Sequence, residues 1–202
     1  MKVAKQIIVA VFLACISTAT TVAHAQQSAS KPTPGTLVSP AEALNALMDM
    51  TESQMISLVK SFPADKYGFA PGPAIFAPNQ KTDYAGVRTF GALVLHVAQA
   101  NYILGSRVSG LKPDVDPAKL PRLSSKDEIV AALEASFAFD HKVIGTITAA
   151  NAFESTSGSF TRATQAAFIV VHASDEYGQM VEYLRMNGIA PPSSGAPAPP
   201  RQ

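Results

Sequence analysis

Three observations predict an all-α fold, a four-helix bundle with long connecting loops. Four segments of about 20 residues carry apolar side chains at helical spacing. Three of them open on capping residues, and Pro- and Gly-rich stretches separate them. No alternating run of apolar and polar residues competes as a strand. Helices of this length, each apolar on one side, are unstable alone and must pool their stripes, which a bundle does with the least strain.

The elements follow in order. Residues 1–25 read as a secretory signal peptide: Lys2 and Lys5 precede the uncharged residues 7–22, and Ala23-His24-Ala25 stands before Gln26. A spanning helix needs about 20 apolar residues, and this run is interrupted by Ser17, Thr18, Thr20 and Thr21. The alternative is a lipoprotein signal that leaves Cys15 acylated, but its apolar run is short and Phe12 stands where such signals carry Leu. The expectation is an exported protein, periplasmic or secreted, with no membrane attachment once the signal is removed.

Residues 26–38, rich in Ser, Pro, Thr and Gln, form a flexible lead. The bundle spans residues 39–190. Ser39 opens the first helix, with Pro40 at its first position and Glu42 completing a capping box; Leu44, Leu47, Met48, Met55, Leu58, Val59 and Phe62 form its stripe, and Pro63 ends it. Residues 63–88 hold no sustained period, and a stretch of that length in a compact domain is usually functional or mobile. Thr89 caps a second helix through Leu93, Val94, Val97, Leu104 and Val108 to Gly110. After a connection containing Pro113, Pro117 and Pro121, Ser125 and Glu128 form another capping box. The third helix carries Ile129, Val130, Leu133, Phe137, Val143, Ile144 and Ile147. Residues 151–160 read as a polar loop. The fourth helix runs from about Thr161 to Asn187, with Phe168, Ile169, Met180, Tyr183, Leu184 and Met186 as apolar members, and Gly188 and Pro191-Pro192 terminate it. Residues 191–202 form a Pro-rich tail expected to be disordered, of a composition that also serves as a docking ligand.

Composition narrows the chemistry. The 202 residues hold 16 Lys and Arg against 15 Asp and Glu, one Cys and four His. No basic stripe exists to meet a phosphate backbone, which argues against nucleic acid as a partner. Loss of residues 1–25 removes two lysines, no acids, Cys15 and His24, leaving 14 basic against 15 acidic residues and no thiol. The chemistry must then rest on oxygen and nitrogen groups, above all His96, His141 and His172.

Polar residues on apolar stripes are the informative ones. At 100° per residue the apolar face of the fourth helix centres near Tyr183; His172 and Glu176 lie about 20° to either side of that centre and Gln179 about 40° away. A buried carboxylate needs a cation, a metal or a proton. The i, i+4 spacing of His172 and Glu176 lets two helical side chains hold one metal ion. The competing readings are a salt bridge from Glu176 to Arg88 or Arg107, and chance, since H-x-x-x-E is common on helices. His96 lies at the edge of the second stripe beside Ala92 and Ala100, whose small side chains leave room. Asp140 lies near the centre of the third stripe. It is expected either to hold a ligand histidine as a partner carboxylate or simply to bond a Tyr or His. His141, at the edge of that stripe, reads first as a satisfied core histidine and only second as a reserve ligand. The edges of the first and third helices are where two bundles would pair as a homodimer, though neither carries a distinct second apolar stripe.

The segment His172-Ala-Ser-Asp-Glu-Tyr-Gly-Gln179, continuing as Met180-Val-Glu-Tyr-Leu-Arg-Met-Asn-Gly-Ile-Ala-Pro-Pro192, resembles the last helix of DinB-like proteins. That family shows H-x-x-x-H, then G-Q, then Y-L-R-x-x-G-I-x-P-P. Phe62-Pro63 through Phe69-Ala70-Pro71 is similar to the family's stretch after helix one, and Val87-Arg88-Thr89-Phe90-Gly91 through His96-Val97-Ala98 to its second-helix entry. The resemblance covers roughly residues 41–192 and is most specific in the fourth helix. It implies a four-helix bundle of DinB-like type holding a divalent metal, zinc, nickel or iron, on one histidine from helix two and two positions on helix four. By position these are His96, His172 and Glu176, the last standing where the family has histidine.

Two histidines and a carboxylate also make a known catalytic donor set. The resemblance further implies a metal-dependent enzyme of hydrolase or transferase type acting on a small-molecule substrate through activated water or thiol, with Glu176 or Asp140 handling protons. The alternative is a non-catalytic envelope binding module that has lost or altered its metal site. Residues 63–88, longer than the family's usual connection, would cover the mouth of the site.

Overall fold

The computed structural model describes residues 32–75, 78–81 and 83–195. The signal peptide at residues 1–25, Cys15, residues 26–31 of the lead and residues 196–202 of the tail lie outside the described residues. Residues 32–36 belong to a separate unit from the body that begins at Leu37.

The body is all-α. Its four long helices are α1 (Pro40–Ser61), α2 (Phe90–Ser109), α3 (Lys126–Ile144) and α4 (Arg162–Met186). Both predicted capping boxes form: Ser39 and Glu42 exchange bonds at 2.8 and 3.2 Å, and Ser125 and Glu128 at 3.2 and 3.3 Å. Each box satisfies N–H groups that the first turn of a helix leaves without partners. Thr89 caps α2, and Gly110 ends it at φ 75°, a left-handed conformation that suits glycine.

The helices close into a ring in which α2 packs against α3 and α4, and α1 packs against the same two. Pairings along each contact set the directions. Gly91 lies beside Ile129, Asn101 donates to Ser136, and Gly105 lies beside Phe139, so α2 and α3 run parallel. Arg162 donates to the Val108 carbonyl and Tyr183 to that of Arg88, so α4 runs against α2. Lys126 caps the α1 carbonyls of Lys60 and Phe62 at 2.7 and 2.8 Å, while His141 meets Asn45, so α1 runs against α3. A parallel α2–α3 pair requires the chain to travel back the length of a 20-residue helix, about 30 Å. Residues 110–125 make that return, with a 3₁₀ turn at Pro117–Arg122 held to α2 by Gln99.

Three expectations need correction. Residues 63–88 are not structureless throughout: 3₁₀ turns form at Ala64–Lys66 and Pro73–Ile75. The carbonyls of Phe69 and Tyr67 accept the first N–H groups of α2 at 2.8 and 2.9 Å, and buried Tyr67 donates to the Val59 carbonyl at 2.7 Å. An aromatic group of Phe62, Tyr67 and Phe90 drives this docking, with ring centroids 4.1 Å apart for Phe62–Phe90 and 5.2 Å for Tyr67–Phe90. Residues 151–160 include a short antiparallel hairpin, β1 (Ser155–Ser157) with β2 (Phe160–Thr161), turned at Gly158. Phe160 of the hairpin stacks on Phe168, which therefore stays at the surface with Met186 instead of joining the core. The tail is ordered at its start: Pro192–Gly195 forms a 3₁₀ turn against α1, and Tyr177 donates to Ser193.

No helix among the described residues is long and apolar enough to cross a membrane. Helices α2 and α3 approach closely at Gly105, where an added Cβ would stand 2.8 Å from an Asp140 oxygen and 3.0 Å from Phe139. Both neighbours are buried. Gly105→Ala is therefore predicted to lower stability by about 1–3 kcal/mol despite alanine's better helix propensity. Urea unfolding checks this, and a variant as stable as the parent would contradict the packing described.

Candidate metal centre

Burial of α2 against α4 brings His96, His172 and Glu176 together. His172 and Glu176 stand one turn apart on the face of α4 turned toward α2, flanked by buried Ile169, Ala173 and Met180. His96 projects from the first half of α2 between buried Leu95 and Val97. The two Nε2 atoms are 3.3 Å apart; Glu176 Oε1 lies 3.4 Å from His96 Nε2 and 3.7 Å from His172 Nε2. Zinc holds nitrogen and carboxylate ligands at about 2.0–2.2 Å, so two of them at a tetrahedral angle stand about 3.4 Å apart. The three spacings match that requirement.

Charge in the site suits a cation. Burial pushes both imidazoles below the usual histidine range, and the positive charge of Arg88 adds to this. Both rings are thereby kept neutral, the form that ligates metal. Burial, with the charge of Asp175 behind it, raises the Glu176 carboxyl above its ordinary range. Gln179 donates to Glu176 Oε2 at 3.0 Å, leaving Oε1 to face the imidazoles. A divalent cation would relieve the cost of holding this carboxylate away from water.

Neither arginine weighed as a partner bridges Glu176. Arg88 acts on the site through its field, and among the described residues it forms no ion pair. Arg88 and His96 share a cleft of about 460 Å³ with Tyr67, Ala92, Gln99 and Ser124. The room expected beside His96 at Ala92 is the wall of this cleft. One polar atom stays unsatisfied, His172 Nδ1, which is buried without a hydrogen-bond partner.

Asp140 does not join this cluster. It is fully buried against Gly105 of α2, and neither carboxyl oxygen has a hydrogen-bond partner. The expected bond to a histidine or tyrosine is not made. The stripe position that placed Asp140 inward could not tell at which level of the bundle it would sit. His141 also lies elsewhere, against α1. Asp175 and Gln179 are the additions to the site: Gln179 follows from the stripe angle, whereas exposed Asp175 acts by its charge and by accepting from Gln179 Nε2 at 3.5 Å.

No protein family matches the chain, and no curated protein matches it in sequence.

Burial raises Asp140 well above the usual aspartate range, and the charge of Glu52 adds to the effect. A carboxyl with a raised folded-state pKa stabilises fully below its unfolded pKa and loses that contribution as pH rises through the folded value. Asp140→Asn, which cannot ionise, is predicted to match the parent near pH 4 and gain on it progressively as pH rises. Melting temperature against pH for both proteins checks this, and a constant difference would count against it.

Proposed function

We propose that the protein is an exported, DinB-like metal-dependent enzyme of hydrolase or transferase type, with His96, His172 and Glu176 holding one divalent metal ion, zinc, nickel or iron. The observation that carries the reading is the convergence of three donor atoms from two helices at spacings of 3.3, 3.4 and 3.7 Å. The resemblance of residues 172–192 to the DinB-like last helix adds to it, as does the ring of four helices. Export is supported by the signal-like order of residues 1–25.

When bound, a divalent cation supplies Lewis acidity, which makes water or a thiol nucleophilic near neutral pH. The chain's own groups supply the rest. Gln179 holds the Glu176 carboxylate in orientation, and buried apolar neighbours keep bulk water from the α4 side. Without metal, burial raises the Glu176 carboxyl and suits it to hold a proton; a bound cation would reverse that shift and keep it as a ligand. The cleft at His96 admits a small molecule from the α2 side, and Arg88 offers a positive charge at its wall. Tyr67, whose carbonyl bonds the start of α2, forms part of that wall with Gly68.

A second reading, a bundle that binds a ligand without metal, draws on His172 Nδ1. Metal-bound imidazoles ordinarily donate their other ring N–H to a carboxylate or carbonyl, and this one has no partner.

Metal analysis of the protein purified without chelator separates the two. A content of zinc, nickel or iron that falls by one equivalent in His172→Ala is expected. A metal-free parent whose melting temperature is unmoved by added metal, or a His172→Ala protein with the parent's full metal content, overturns the enzyme reading.

A further inference from the structure

On the side of α3 that faces α1, three donors from two helices meet without any role in the centre described above. Asp49 and Glu52 stand one turn apart on α1, and His141 reaches them from the last turn of α3. His141 Nε2 lies 2.9 Å from Glu52 Oε2 and 3.6 Å from Asp49 Oδ1, and one donor atom from each residue falls within 4.8 Å of the other two. We propose that Asp49, Glu52 and His141 form a second divalent-metal site, of zinc class, that clamps α1 to α3.

The imidazole is set for this role by a residue outside the donor set. Asn45, one turn before Asp49, accepts the Nδ1–H of His141 at 2.7 Å. That bond fixes the ring's orientation and, in the neutral ring, leaves the Nε2 lone pair facing both carboxylates. An outer partner that orients a ligating histidine in this way is a recurring feature of metal sites. It is the feature that His172 lacks.

His141 Nε2 faces both Glu52 and Asp49, like charges one turn apart on α1, a spacing that disfavours the helix unless a cation intervenes. Lys60, the lysine of α1, is paired with Glu134 at 2.6 Å. Asp49 and Glu52 line an open surface hollow with Ser53 and Glu134, so an ion can reach them from solvent. The imidazole turns the preference toward zinc and its neighbours and away from calcium or magnesium, which favour all-oxygen shells. An ion here would add to the polar fastenings between α1 and α3 that Lys126 makes to the Lys60 and Phe62 carbonyls and Lys60 makes to Glu134.

The test is zinc titration of the full chain by calorimetry, with equilibrium dialysis giving the stoichiometry. In a protein carrying His96→Ala and His172→Ala, one equivalent of zinc is expected to bind still. Adding Glu52→Gln, which keeps size and hydrogen bonding to His141, is expected to abolish that binding, and Asn45→Ala to weaken it by about tenfold. The imidazole NMR signals of His141 should shift with zinc in the parent. No zinc bound by a His96→Ala/His172→Ala protein with the parent's circular dichroism, or full binding after Glu52→Gln, reduces the cluster to an ion pair and overturns the proposal. Should the double variant not fold, His141→Ala in the otherwise unaltered chain decides: loss of one equivalent supports the site, and unchanged stoichiometry overturns it. Failure of the His96 centre would instead leave a parent whose only bound zinc is lost in His141→Ala.

Discussion

The body is organised around the burial of α2. Its side chains are buried around most of its circumference, from Phe90 and Leu93 through Val97 and Tyr102 to Val108, so it takes contacts from α3, α4 and the Pro117–Arg122 turn together. Fully burying one such side chain contributes about 1.5–3 kcal/mol, against about 0.5–1.5 kcal/mol net for a typical neutral hydrogen bond. This central helix also dictates the connections. Because it runs parallel to α3, the return through residues 110–125 must be long, and because its first N–H groups are buried, residues 67–69 must dock beneath them.

The polar groups are arranged around that constraint. A histidine on a helix buried so widely has few directions open, and His96 takes the one between α4 and the cleft. On α4 the carboxylate of Glu176 has no lysine or arginine to neutralise it among the described residues, only two imidazoles and the amide of Gln179. Asp140 is still less compensated, being enclosed with no partner at all. In a chain with so few charges, two buried carboxylates without ion-pair partners are a real cost to the fold. A bound cation would relieve the first, and a retained proton the second, whose carboxyl burial raises well above the aspartate range.

Helix ends and stripes were legible because they depend on neighbours a few residues away. Ser39 with Glu42 and Ser125 with Glu128 form boxes wherever the chain places them, and glycine at 110 suits a left-handed end in any surroundings. The hairpin at 155–161 was hidden because its strands are too short to develop a period, and the docking of residues 64–69 because it depends on aromatic partners far along the chain. Leu47, Phe168 and Met186 lie on the expected stripes yet remain exposed, since a stripe gives an angle about one helix axis and not the width of the surface that covers it. Asn45, Asp49 and Glu52 recur at helical spacing, a visible signal, but only the facing of α1 and α3 brings His141 to them.

By itself, then, the chain's local chemistry determined four capped amphipathic helices, the inward placing of His172 and Glu176 on one face, and the lack of thiol or strongly basic surface beyond residue 25. Tertiary structure decided which helices meet, in which direction and at what level. Two imidazoles on different helices become neighbours at 3.3 Å only when α2 and α4 pack antiparallel in one register. Asp140, equally inward by angle, is carried by the parallel α2–α3 pairing to Gly105 instead. The reason is physical: angular position on a helix repeats every 3.6 residues and is written locally, whereas axial register is set by the fit of side chains from separate segments.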